Sequence, residues 1–224
     1  MTSRAPHPRV DSLPATLPIF PLAGVLLLPH GQLPLNIFEP RYLAMTRDAM
    51  GGGRLIGMVQ PIDPRQEDRR AGAVYATGCA GRVTAYDETD DGRYLITLTG
   101  VCRFTITGEL PLTDTGYRRV SAAYDSYADD LGAPAEDAVD RAPLLRALKA
   151  CLSPDEAGVD WPAVERMTSD NLVTSLAMLF PFSPSEKQAL LEAPDTGERA
   201  RILTALMAML AATNGAGDAE KRLQ

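Results

Sequence analysis

Leu33-Pro34-Leu35-Asn36-Ile37-Phe38-Glu39-Pro40-Arg41-Tyr42 is the stretch that decides how the first half of this chain is built. Leu33, Leu35 and Ile37 recur at every second position, the period of a strand with one buried face. Pro34 cannot donate to a ladder, which places the strand at an edge or rim. Helix then replaces strand. Pro40 stands at the first helical position, where a missing N–H costs nothing, and Glu39 sets a carboxylate beside the helix N-terminus. Gly51-Gly52-Gly53 ends that helix, whose buried stripe is Tyr42, Leu43, Thr46 and Met50. Upstream, Leu17-Pro18-Ile19-Phe20-Pro21-Leu22 is a second apolar run broken by proline and reads as another edge strand.

Downstream of the helix the β character continues. Arg54 to Gln60 reads as a strand, followed by a charged loop from Asp63 to Arg70. Val74 to Tyr86 and Arg93 to Thr99 are joined through Asp91-Gly92, a strong hairpin-turn pair. Gly100-Val101 reads as a turn into a further strand, Cys102 to Gly108, with Phe104 and Ile106 inward and Arg103, Thr105 and Thr107 outward. Arg118 to Tyr127 is the last strand. About six short strands with one early helix predict a small closed or nearly closed barrel.

Composition changes near Tyr127, and everything beyond reads as helical. Val139, Leu144, Leu145, Leu148 and Leu152 form one stripe; Leu172, Val173, Leu176, Leu179 and Phe180 form a second, with Ser169 as its cap. Ser183-Pro184-Ser185-Glu186 is a capping box, and Asp195-Thr196-Gly197-Glu198 repeats its logic before a long helix that Asn214-Gly215 closes. The expected organisation is a flexible arm (1–14), a β lobe (15–128), a linker (129–138), a helical lobe (139–214) and a disordered tail (215–224).

Several function classes are argued against. The formal net charge of -7 repels phosphate backbones, and the arginines at 65, 69 and 70 are offset by Glu67 and Asp68. Cys79, Cys102 and Cys151 are scattered, and the histidines are His7 and His30, so no zinc-ligand spacing exists and no metal or other cofactor is expected. The thiols read as small apolar residues in a reducing cytoplasm. No secretory signal precedes Leu13, and Pro29 stops the apolar run from Val25 to Leu28, so a cytoplasmic protein without a membrane span is expected. None of the lysines follows a glycine, which excludes a Walker-type phosphate loop. His7 lies in the arm and His30 in a turn between Pro29 and Gly31, which leaves no triad; the capping box accounts for Ser185 and Lys187. Asp90-Asp91 and Asp129-Asp130 read as solvated turn and linker charges rather than a general acid and base. No catalytic residue is expected.

Two groups of residues stay as candidates. Phe38, Glu39, Arg41 and Tyr42 meet at the strand-to-helix junction, and Arg103 lies in Gly100-Val101-Cys102-Arg103-Phe104. They either line a recognition surface or form hydrogen-bonded pairs that fix the junction while Tyr42 packs; the second reading is the plainer.

The ordered set of motifs resembles the Lon N-terminal, or substrate-binding, domain. It comprises Leu17 to Leu22, Leu33 to Tyr42, Ile56-Gly57-Met58-Val59, Gly78 to Val83, Asp91 to Tyr94, Gly100 to Phe104, and the run from Leu176 to Leu191 with Glu198-Arg199. The resemblance covers about Leu17 to Leu210. It implies an α+β fold, a PUA-like β pseudo-barrel followed by a C-terminal helical bundle. It also implies a non-catalytic module that binds unfolded or tagged polypeptides, an adaptor or chaperone-like accessory to proteolysis with a protease complex as partner. The Walker A ATPase motif and Ser-Lys peptidase of full-length Lon have no counterpart in this sequence. RNA binding is the alternative, since PUA-like barrels occur in RNA-binding proteins, and an uncharacterised hydrolase is a third.

Overall fold

A computed structural model of the chain describes residues 9–63, 65, 72–133, 139–152 and 159–221, with the backbone alone from 214 onward. The expectations for His7, for the arginines at 69 and 70, for Glu67 and Asp68 and for 134–138 of the linker lie outside the described residues. The strands are β1 (Thr16–Pro21), β2 (Gln32–Ile37), β3 (Leu55–Val59), β4 (Thr77–Glu88), β5 (Tyr94–Glu109) and β6 (Arg118–Ala123). Helix α1 (Pro40–Met50) follows β2, and α2 (Arg141–Cys151), α3 (Trp161–Arg166), α4 (Ser169–Leu179), α5 (Pro184–Glu192) and α6 (Thr196–Lys221) follow the sheet.

The strand order is β2-β5-β4-β3-β1-β6, and β5 pairs a second time with β6. Five strands thus close on themselves while β2 hangs from the first half of β5, from Gln32↔Thr99 to Ile37↔Tyr94. β2 is an edge strand, as Pro34 requires. β1 is not: it runs parallel to β3 and antiparallel to β6. Its prolines are tolerated because the β3 register begins at Ile19, after Pro18, and ends at Pro21.

β5 is the main departure from the sequence reading. It is one continuous strand of 16 residues with no turn at Gly100. Gly81 pairs with Gly100 and Ala80 with Cys102, so Val101 is an extra residue, a bulge that bends the strand from its β2 partner towards β6. The glycine answers a close approach instead. His30 N donates to Gly100 O at 2.9 Å and Gly100 N to Gly31 O at 2.8 Å. A Cβ at position 100 would lie 1.9 Å from Leu28 O.

Local capping sets the helix starts. The Asp140, Asp160 and Thr168 side chains cap α2, α3 and α4, so the α4 cap stands one residue before the expected Ser169. Both halves of the capping box are present at Ser183 and Glu186. Asp195 Oδ1 accepts from Glu198 N at 2.8 Å at the head of α6. That helix does not close at Asn214-Gly215 but continues to Lys221. A glycine inside a helix costs only about 1 kcal/mol, and flanking alanines at 211, 212, 216 and 219 sustain it. The first linker residues are likewise ordered: Asp125–Leu131 is a 3-10 segment with Leu131 buried. At the other end, Val10–Ser12 forms a 3-10 turn and Leu13 is buried, so the arm is ordered from there.

Two apolar clusters result. Leu17, Ile19, Leu55, Phe104 and Val120 fill the closed part of the sheet. The second joins Phe20, Leu27, Leu98 and Met45 to Leu144, Leu172, Leu190 and Leu203, so sheet and helices share one core.

Candidate functional site

The β2–α1 junction is tied by its own side chains. Arg41 Nε donates to Glu39 Oε2 at 3.0 Å and its Nη2 lies 2.8 Å from the same oxygen. The Arg41 guanidinium sits 4.6 Å from the Tyr42 ring centroid, and that ring packs 4.1 Å from Phe20. Thr46 Oγ1 donates to Tyr42 O at 2.8 Å, locking the first turn. Phe38 is different: it is 62% exposed at the end of β2. Across β2, β4 and β5 runs a shallow groove of about 510 Å³ lined by Pro34, Asn36, Ala85, Leu95 and Thr97. Leu95 and Tyr86 are also exposed. The sequence carried one signal for this groove: Leu95 holds the outward position that Thr97 and Thr99 occupy further along the strand.

Arg103 does not join this group. It is 5% exposed and points between sheet and helices rather than outward. Its Nε and Nη2 donate to Asp130 at 2.9 and 2.8 Å, and the Asp130 carboxylate also accepts from Arg103 N at 2.9 Å. Nη1 donates to Leu191 O and Ala193 O, and the guanidinium lies 4.6 Å from the Tyr127 ring. The Val101 bulge exchanges the two faces of β5: Leu98 before it packs with the helices, and Phe104 after it fills the closed part of the sheet. Arg103, opposite Cys79, is turned to the helix side, where a charge is buried and paired. Asp130 is correspondingly no solvated linker charge. Sequence spacing gave no sign that residues 27 positions apart would meet.

Next to this pair lies a cavity of about 540 Å³ lined by His30, Asp129, Asp170, Thr196 and Arg199 among others. His30 holds a left-handed backbone with φ 65° at its rim. Arg199 Nε donates to Leu190 O at 2.9 Å. Burial, and then the nearby Arg103 charge, pull Arg199 down to about 10.

Cys102, Tyr117 and Tyr124 stay neutral above their ordinary range. Burial pushes Cys102 up to about 12, with Asp130 adding to it. Burial followed by the Asp48 hydrogen bond takes Tyr117 to about 12, and burial followed by Cys102 does the same for Tyr124. Their ordinary values are 9.0 for the thiol and 10.0 for the phenols. A folded value above the unfolded one gives stability that is complete below the unfolded value and is lost as pH rises through the folded one. Urea midpoints will therefore fall between pH 9 and 12, and Tyr117→Phe will flatten that fall. Lys187 is buried, and its Nζ donates to Met178 O at 3.2 Å. Among the described residues, no cluster of three or more metal-ligating side chains occurs, and no helix is long and apolar enough to cross a membrane.

This arrangement is that of solved Lon N-terminal domains. A Lon N-terminal domain protein from Xanthomonas campestris superposes with a TM-score of 0.59 at 25% identity, over 85% of this chain and 97% of that one. The N-terminal domain of Mycobacterium avium complex Lon protease gives 0.60 at 16% identity, over 86% and 98%. The family model of the ATP-dependent protease La (LON) substrate-binding domain matches residues 16–209, and the chain belongs to that family. Lon protease of Anaeromyxobacter dehalogenans is 27% identical over 199 residues, 88% of this chain and 23% of that protein. Lon protease 2 of Sorangium cellulosum is 26% identical over 208 residues, 90% and 25%. The chain thus spans about a quarter of the length of the curated relatives it matches.

Proposed function

We propose that this chain is a polypeptide-recognition module without catalysis of its own, holding extended, unfolded or tagged segments against the outer face of its sheet. Its architecture is read as a PUA-like β pseudo-barrel followed by a helical bundle. The observation that carries the reading is the apolar groove beside the free edge of β2, with Phe38 62% exposed at the strand end and Leu95 44% exposed on the groove wall. Pockets for alternate side chains beside a free strand edge suit an extended chain. Pro34 removes a donor from that edge, which limits strand addition and gives side-chain contacts the larger share. In this reading Glu39, Arg41 and Tyr42 hold Phe38 outward, whereas Arg103 orients the two halves and touches no ligand in the groove. The family's association with a protease supports a role as a cytoplasmic adaptor or chaperone-like accessory to a protease complex.

Titration with fluorescent unfolded polypeptides and apolar extended peptides tests this. Micromolar binding is expected, and no binding at high micromolar concentration sinks the reading. Phe38→Ala will weaken binding by about 1–2 kcal/mol, roughly fivefold to thirtyfold, because the ring loses the area it would bury on the ligand. Folding stability will stay within about 0.5 kcal/mol, as the ring is exposed in the free protein.

A further inference from the structure

Between the residues leading into β1, the end of α1 and strand β6 lies a pocket of about 400 Å³. Leu13, Pro14, Pro18 and Leu55 give it an apolar wall, and Arg82 and Arg119 line it as well. These two arginines differ from others in the β lobe. Arg118, next in sequence to Arg119, donates from Nε and Nη2 to the two oxygens of Glu109 at 2.7 and 2.9 Å. Arg93 and Arg103 each hold an aspartate. Arg119 holds nothing: among the described residues its guanidinium makes no hydrogen bond and no ion pair. Its Nε is buried without an acceptor, whereas Nη1 and Nη2, equally without one, are not closed off from solvent. The Nη1–Nη2 edge is therefore the part a ligand can reach.

Arg82 is exposed, and its Nη1 donates to Gly53 O at 2.8 Å with no carboxylate in ion-pair range among the described residues. One acid lines the pocket, Asp48, and its Oδ2 accepts from Tyr117 Oη at 2.8 Å instead of from either arginine. A second cation would be repelled by the two guanidinium groups, and a neutral apolar group would leave their donors unused. A carboxylate matches the planar end of a guanidinium with two parallel hydrogen bonds. A dianion such as phosphate would meet Asp48 and the C-terminal end of α1, which Gly52 and Gly53 bring to the pocket and where the helix dipole is negative. One negative charge is thus favoured over two, and the apolar wall calls for carbon beside it.

We infer that this pocket binds a monocarboxylate carried on an apolar group, with Arg119 gripping the carboxylate, Arg82 adding charge and the apolar wall covering the carbon. Two sources supply that chemistry: the C-terminal residue of a polypeptide, and a free apolar carboxylic acid. The pocket shares no lining residue with the groove on β2, β4 and β5, so the inference stands apart from the polypeptide-recognition reading.

The test is a ¹H–¹⁵N NMR titration of the full chain at constant ionic strength. N-acetyl-leucine stands for a chain end and 4-methylpentanoate for a free acid, with N-acetyl-leucinamide as the neutral control and sulfate as the inorganic one. Saturable shifts at the Leu13, Gly53 and Arg82 amides are expected for both carboxylates, weakening at higher salt. Tighter binding of N-acetyl-leucine assigns the site to a chain end, and tighter binding of 4-methylpentanoate assigns it to a free acid. Arg119→Met keeps the stem and removes the charge; it will weaken binding by roughly tenfold or more, the scale of a hydrogen bond to a charged group. Its fold will be intact, since no hydrogen bond of Arg119 is lost. Equal shifts with the amide, equal shifts with sulfate, or affinity unchanged in Arg119→Met overturn the inference. So does the absence of shifts up to about 50 mM, where even a weak millimolar site would fill. If the variant does not fold, the wild-type contrast between the carboxylates and the two controls decides alone. Shifts confined to the groove would bear on polypeptide recognition and count against this pocket.

Discussion

Asp130→Ala will lower folding stability by about 3–5 kcal/mol, the range found when one partner of a buried ion pair is removed. The reason lies in what remains. Arg103, whose side chain is 6% exposed, would keep its charge with backbone carbonyls and the Tyr127 ring in place of its carboxylate. Three contacts to the Asp130 carboxylate would go at once, including the one from the Arg103 backbone. Replacing both partners, as in Arg103→Met with Asp130→Leu, should recover much of the loss, because neither charge then needs solvating. Urea unfolding of the single and double variants reads this directly. A single variant within about 1 kcal/mol of the parent, the level of an exposed pair, would show that the pair is solvated.

Gly100→Val will be at least as damaging, costing about 3 kcal/mol or more, beyond ordinary overpacking because the obstacle is backbone. The new Cβ would fall 1.9 Å from Leu28 O. Relief requires the Leu28–Gly31 segment to move away, which breaks the His30–Gly100 and Gly100–Gly31 hydrogen bonds. Gly108→Ala on the same strand meets nothing within 4 Å and serves as the control. Thermal melts of the two variants separate close approach from any general effect of filling β5.

Much of the architecture was legible from local signals. The period of two in β2, proline at the start of α1, the Asp91-Gly92 turn and the Ser183–Glu186 capping box each act within a few residues. Each appears where the sequence suggests. The misreadings share one origin. Glycine at position 100 suggests a turn because glycine permits turns, but its constraint comes from a chain segment about 70 residues earlier, which local sequence does not encode. β1 looked like an edge for its prolines, whereas its register places them at the limits of the β3 ladder. Asp130 looked solvated for lying in a polar, alanine-rich stretch, yet Arg103 holds it at the interface.

The candidate site divides in the same way. That Phe38 sits at a strand-to-helix junction, flanked by Glu39 and Arg41, was determined by the sequence alone, through proline geometry and strand period. That Phe38 and Leu95 face solvent and that Arg103 turns inward to Asp130 were decided only by tertiary structure. Local backbone preference depends on neighbours a few residues away, so it can be read along the chain. Burial and charge pairing depend on which surfaces meet when sheet and helices share a core, and no spacing in the sequence encodes that meeting.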